Sequence, residues 1–207
     1  MALVLEKGRK INLEKEGTGE KLTKVRLGLK WVLKPGLDAD LDASALLLGK
    51  NLKMWKDDSI VCYATPKSED DRIVSEDGAI IHNGDARTGH AAEADEDAAD
   101  DESIEMDLSK VASNTQNILI VITSYAEKGA DPVRFGRVKN ASVRLYDISS
   151  SAEKTICEFD LSEDMGTWTS MEMAMISRDG SGWTFTALGR GLGSGRNGLE
   201  DVMAKYA

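Results

Sequence analysis

The sequence predicts an all-β fold, a sandwich of two mostly antiparallel sheets with a few short helices. Three observations predict it. Apolar residues recur with a period of two, or in short solid runs, along most of the 207 residues. Turn chemistry separates the runs, at Lys34-Pro35-Gly36, Glu76-Asp77-Gly78 and Asp179-Gly180-Ser181-Gly182. Helical patterning is confined to two short stretches. Many short strands with few helices favour a sandwich over a parallel α/β sheet.

In chain order the expected strands are LVLEKG (3–8), INLEK (11–15), LTKVRLGLKW (22–31), DASALLL (42–48), SIVCYAT (59–65), SIEMDL (103–108), NILIVITS (117–124), ASVRLYD (141–147), TICEFDL (155–161), SMEMAMIS (170–177) and WTFTALG (183–189). Val25, Leu27, Leu29 and Trp31 alternate with charged or small residues, which predicts one buried face. NILIVITS is apolar on both faces and reads as a central strand. Met171, Met173 and Met175 read as one buried face. A short helix is expected within Pro132 to Asn140. The C-terminal GLEDVMAKYA reads as an amphipathic helix with Leu199, Val202, Met203 and Tyr206 on one stripe. No repeat of 20–50 residues is present. Strand patterns continue on both sides of the Ala/Asp/Glu-rich stretch, so residues 1–207 read as a single domain with an acidic loop insertion around 90–100.

Net charge is -10, and the basic residues near the start are interleaved with acids. Such a chain repels nucleic acid and anionic membranes and leaves cations and basic partners as ligands. Cys62 and Cys157 each sit in an apolar strand-like run and read as free buried thiols, which suits a reducing compartment. The opening MALVLEKGRK has too short an apolar run for a signal peptide, and no run approaches the ~20 apolar residues of a transmembrane segment. A cytoplasmic protein is the expectation.

Two acidic motifs carry the candidate chemistry. Along an extended Asp38-Ala39-Asp40-Leu41-Asp42, the three carboxylates point to one side, where a hard cation relieves their repulsion. The spacing is not that of an EF-hand, because Ala43 stands at the turn-glycine position and Gly49 at the bidentate-glutamate position. On chemistry alone this turn reads equally as a solvated sheet edge or as a cation site. The second motif runs from Gly84-Asp85-Ala86-Arg87-Thr88-Gly89 to Asp100-Asp101-Glu102. Asp85, Asp100, Asp101 and Glu102 read as candidate ligands, and Glu93 to Asp97 as a solvated spacer.

Other motifs are set aside. His82 and His90 lack partners at zinc spacing; His82 reads as a strand-end residue and His90 as a loop residue. Gly193-Ser194-Gly195-Arg196-Asn197-Gly198 matches G-x-G-x-x-G, but too little chain follows to build a βαβ unit. No nucleophile elbow is present, and Glu163 and Asp164 would face opposite ways on a strand. No catalytic residues are assigned.

The chain resembles the TerD family of tellurium-resistance and stress-response proteins. The resemblance runs nearly end to end, through Leu27-Gly28-Leu29-Lys30-Trp31, Asp38-x-Asp40-Leu41-Asp42-Ala43-Ser44-Ala45, Asn83-Gly84-Asp85, Asp100-Asp101-Glu102, Phe135-Gly136-Arg137-Val138-Lys139-Asn140-Ala141 and Gly189-x-Gly191. It implies a β-sandwich that binds Ca2+ through Asp38, Asp40, Asp42, Asp85, Asp100, Asp101 and Glu102, and protein partners in a stress-response complex. This chain departs from the family pattern at Ala86, where asparagine is usual, at Ala39, where an aromatic is common, and in a longer link between Gly89 and Asp100. The leading expectation is a calcium-binding adaptor. The alternatives are a divalent-metal enzyme acting on phosphates, with Arg87 meeting the substrate, and a structural acidic scaffold.

Overall fold

Period-two segments need a partner on each side and a second layer over the apolar face, and the chain supplies both. The computed structural model describes residues 3–4, 6–14, 19–69, 72–87, 89, 99–127, 130–160, 166–180, 182–193 and 198–207. The strands are β1 (Leu3–Val4), β2 (Lys10–Asn12), β3 (Lys24–Val32), β4 (Asp40–Leu48), β5 (Ile60–Val61), β6 (Ile73–Val74) and β7 (Ile80–His82). They continue as β8 (Glu102–Asp107), β9 (Asn117–Tyr125), β10 (Lys139–Asp147), β11 (Lys154–Asp160), β12 (Ser170–Asp179) and β13 (Gly182–Gly193), followed by helix α1 (Gly198–Tyr206).

One sheet has the order β1-β11-β10-β3-β8-β7-β6, the other β2-β13-β12-β9-β4-β5. Every described pairing is antiparallel except β1 with β11. The expected two-sheet sandwich is what forms. Its interior is the apolar face of β3 (Val25, Leu27, Leu29, Trp31) against the facing side of β4 and β9 (Leu41, Ala43, Ile118, Ile120, Ile122). Each large side chain so buried is worth roughly 1.5–3 kcal/mol. A second, smaller core lies on the outer face of the six-stranded sheet. There Leu46, Leu48, Leu119 and Val121 meet Val202 and Tyr206 of α1. Leu119 and Val121 thus explain why β9 is apolar on both sides.

The predicted stripe of α1 holds, with Val202 and Tyr206 buried and Leu199 and Met203 packed beside them. Glu172 of β12 fastens the helix: fully buried, it accepts hydrogen bonds from Lys205 Nζ and Tyr206 Oη.

Three expectations are corrected, and one hairpin was not expected. The methionine stripe is broken by a bulge between Glu172 and Ala174: Met171 and Met173 face the sandwich interior, and Met175 joins the core under α1. The run Ser59 to Thr65 is a strand only at Ile60–Val61. Thr65 folds back, its hydroxyl taking the Cys62 N–H and donating to the Ile60 carbonyl, and this turns the chain out of the sheet. The stretch Pro132 to Asn140 contains only a 3-10 turn, Phe135–Arg137. Phe135 is pulled into the interior and donates its N–H to the Trp168 carbonyl, and β10 begins at Lys139. The hairpin β6–β7 was not expected, because its strands are two and three residues long. Asp77 builds its turn, accepting from the Ser75 hydroxyl and the Ala79 N–H.

No described helix is long and apolar enough to cross a membrane. Thr88, His90, Glu93 to Asp97, Glu163, Asp164 and the centre of the G-x-G-x-x-G match lie outside the described residues.

Candidate metal centre

The site lies at one end of the sandwich, where β4 begins and the chain leaves β7. Along β4 the alternation points Leu41 and Ala43 into the interior and Asp40 and Asp42 the other way. Beyond β7, Gly84 adopts φ 114°, a conformation that side chains other than glycine's rarely take, and carries the chain toward Asp85. One carboxylate oxygen each from Asp40, Asp42 and Asp85 then lies within 4.8 Å of the others. A cavity of about 500 Å³ opens over the cluster, lined by Asp38, Tyr63, Arg87, Tyr125 and Asp131 besides the three. Tyr63 and Tyr125 meet edge to face at 5.9 Å.

Burial and mutual repulsion act together on these carboxyls. Burial, with Asp40 and Asp85 beside it, pushes the Asp42 carboxyl up to about 8. Burial and Asp85 push Asp40 up to about 6, against the opposing pull of Arg87. Asp42 is only 2% exposed, yet its Oδ2 has no hydrogen-bond partner among the described residues, and neither has the Oδ1 of Asp40. Buried carboxylate oxygens left this way are costly.

A hard divalent cation fits these groups. It supplies the missing partner, cancels the mutual repulsion, and takes the six to eight oxygens characteristic of calcium from carboxylates, carbonyls and water. The converging groups are all oxygens, with no thiol or imidazole among them, which suits calcium or magnesium over zinc or copper.

Of the seven expected ligands, the structure brings together Asp40, Asp42 and Asp85. Asp38 is exposed and lines the cavity mouth. The other three do different work. Asp100 crosses the outer face of the seven-stranded sheet, where Arg26 donates to Oδ2 and Arg144 to Oδ1, each at 2.6 Å. Gly28 makes that possible: a Cβ there would lie 2.0 Å from Asp100 Oδ2. Asp101 accepts the Trp31 N–H at 2.9 Å and continues the β3–β8 pairing past the strand end. Glu102 points into the sandwich and accepts backbone N–H groups from Ala43 and Ala86. Burial pushes its carboxyl up to about 9, against those two donors.

His82 ends β7, as expected, but is buried and directs Nε2 to the Ala43 carbonyl; burial holds its imidazole below the usual range. Sequence reasoning did not single out Arg26, Arg144, Tyr63 or Tyr125. A glycine at Gly28, on the outward side of an otherwise charged alternation, was the available signal that something packs there.

A family model described as the TerD domain matches residues 1–206. Tellurium resistance protein TerD of Serratia marcescens is 34% identical over 206 residues, covering 100% of this chain and 97% of that protein. Stress response protein SCP2 of Bacillus subtilis is 33% identical over 223 aligned positions, covering 100% of each chain. The crystal structure of a homologue of telluride resistance protein (TerD) from Streptomyces coelicolor A3(2) superposes with a TM-score of 0.60, over 84% of this chain and 92% of that one, at 19% identity. That last likeness speaks to the fold.

Proposed function

The chain belongs to the TerD family of tellurium-resistance and stress-response proteins, and from that premise we propose that it is a cytoplasmic calcium-binding module, an adaptor rather than an enzyme. One observation carries the calcium reading. Asp40, Asp42 and Asp85 converge within 4.8 Å with two unpartnered oxygens, a donor set that a hard cation completes. A bound ion neutralises the cluster and draws the Asp85 loop against the start of β4. The surface around Tyr63 and Tyr125 then depends on the ion, which is how a binding module couples metal to a protein partner.

The cavity lining supports a non-catalytic role. Among the described lining residues, Asp38, Asp40, Asp42, Asp85, Glu127 and Asp131 outnumber the basic Arg87, so a phosphate substrate meets net repulsion from them. The free thiols Cys62 and Cys157 suit a reducing compartment.

The test is a calcium titration of metal-stripped protein by calorimetry, with melting curves in calcium, magnesium and chelator. Saturable calcium binding and a rise in melting temperature not matched by magnesium are expected. No binding would leave the cluster as surface charge and the protein as a scaffold. Hydrolysis of phosphate esters that vanished in Asp40→Asn would replace the adaptor reading with an enzymatic one.

A further inference from the structure

Strand β4 is longer than its edge partner. β5 pairs only with Ala45 and Leu46, so at Ala43, which pairs with Ile122 of β9 on the other side, the β5-side edge of β4 lies beyond the described pairing. Two side chains from the opposite sheet take that strand's place. Glu102 of β8 accepts the Ala43 N–H at 2.8 Å, and His82 of β7 approaches the Ala43 carbonyl with Nε2 at 3.1 Å. Both are almost wholly buried, at 1% and 2% exposure. The second oxygen of Glu102 accepts the Ala86 N–H at 3.2 Å. Ala43 directly follows Asp42, and Ala86 directly follows Asp85. One carboxyl group therefore joins the two chain segments that present the clustered carboxylates, and it joins them across the two sheets.

We propose that Glu102 is the positioning residue of the metal centre: it sets the separation of Asp42 from Asp85 through their neighbours' backbone amides and gives no oxygen to the ion. The inference rests on the calcium reading of the site. Asp85 sits in an exposed loop, and unlike Asp42 it is not held by a ladder of strand hydrogen bonds. Its placement needs a tether that is rigid and dry. Glu102 is rigid because β8 carries it between β3 and β7, and dry because the sandwich closes over it. A carboxyl is the group required, since even when protonated it keeps an acceptor lone pair on each oxygen for one of two N–H groups approaching from different segments; a glutamine puts an NH2 in place of one of those oxygens. His82 completes the arrangement by holding the carbonyl side of Ala43.

The experiment compares Glu102→Gln, Glu102→Ala and Asp85→Asn with the wild-type full chain. Calcium affinity is read by calorimetry at a temperature where each is folded, and the number of waters on bound terbium is read by luminescence lifetime in H2O and D2O. Loss of a residue that orients ligands from outside costs ~10–100-fold in affinity. That loss is expected in both Glu102 variants, glutamine nearly matching alanine, with the terbium water count unchanged. Asp85→Asn is expected to raise the water count.

Wild-type affinity in Glu102→Gln, or an added water on terbium in the Glu102 variants, would overturn the positioning role and leave the calcium site standing. A wild-type protein that takes no calcium would overturn both. Should the Glu102 variants fail to fold, amide exchange in the calcium-loaded wild type decides: slow exchange at Ala43 and Ala86 supports the tether, and fast exchange at Ala86 refutes it.

Discussion

Calcium binding at Asp40, Asp42 and Asp85 is expected to tighten steeply as pH rises from 6 to 8. The ion needs ionised carboxylates, and protons compete for them. Asp42, raised to about 8 by burial and its acidic neighbours, is almost wholly protonated at pH 6 and half ionised at pH 8. Asp40, at about 6, is half ionised at pH 6 and fully ionised at pH 8. Together these set an apparent affinity roughly 100-fold weaker at pH 6 than at pH 8, most of it from Asp42. At pH 7 the same values release about one proton per ion bound.

Both quantities come from calorimetry, the affinity as a function of pH and the proton count from buffers of different ionisation enthalpy. An affinity flat between pH 6 and 8, with no buffer dependence, would refute the reasoning. The stability of the metal-free protein follows the opposite course. A carboxyl whose folded value lies above its unfolded value of 3.8 contributes stability below that value and loses it as pH rises through the folded one. Metal-free protein therefore melts lower at pH 8.5 than at pH 5.5, and saturating calcium removes the trend.

Gly28→Ala drives a methyl into Asp100 and separates it from Arg26 and Arg144 across partly buried contacts; loss of a hydrogen bond to a charged group costs ~1.5–3 kcal/mol. In an Asp100→Ala background the same substitution is expected to cost far less, and an equal drop in melting temperature in both backgrounds would reject the explanation. Tyr206→Phe leaves Glu172 short of a donor, and a buried group so deprived costs ~1–3 kcal/mol; unchanged chemical denaturation would show that the Tyr206 hydroxyl adds nothing to the Lys205 bond and the apolar packing that hold α1. Cys157, whose thiol burial pushes up to about 12, is expected to resist thiol reagents until the protein unfolds; rapid labelling in native buffer would contradict its burial.

Periodicity was enough to read the sandwich, because alternation of apolar and polar residues is a local property that a sheet converts directly into an inside and an outside. β3, β9 and α1 were legible for that reason. Asp40 and Asp42 were legible as a pair on one side of a strand by the same rule. Where local pattern failed, a longer-range contact had intervened. The bulge at Met173 moved Met175 to the other face. The Thr65 side chain ended β5 early, and burial of Phe135 replaced a helix with a single turn.

The second acidic motif shows the limit most clearly. Asp100, Asp101 and Glu102 are adjacent in sequence and equally acidic, and the family resemblance treats them alike. The fold sends them to three places: an arginine pair on an outer face, a strand-end amide, and the dry interior between the sheets. By itself the sequence determined the sheets, the outward acids of β4 and the surplus of acidic charge. Only the tertiary structure decided which carboxylates face one another, because a carboxylate's role depends on the donors, the burial and the opposing charges around it, and those come from strands that are distant in the chain.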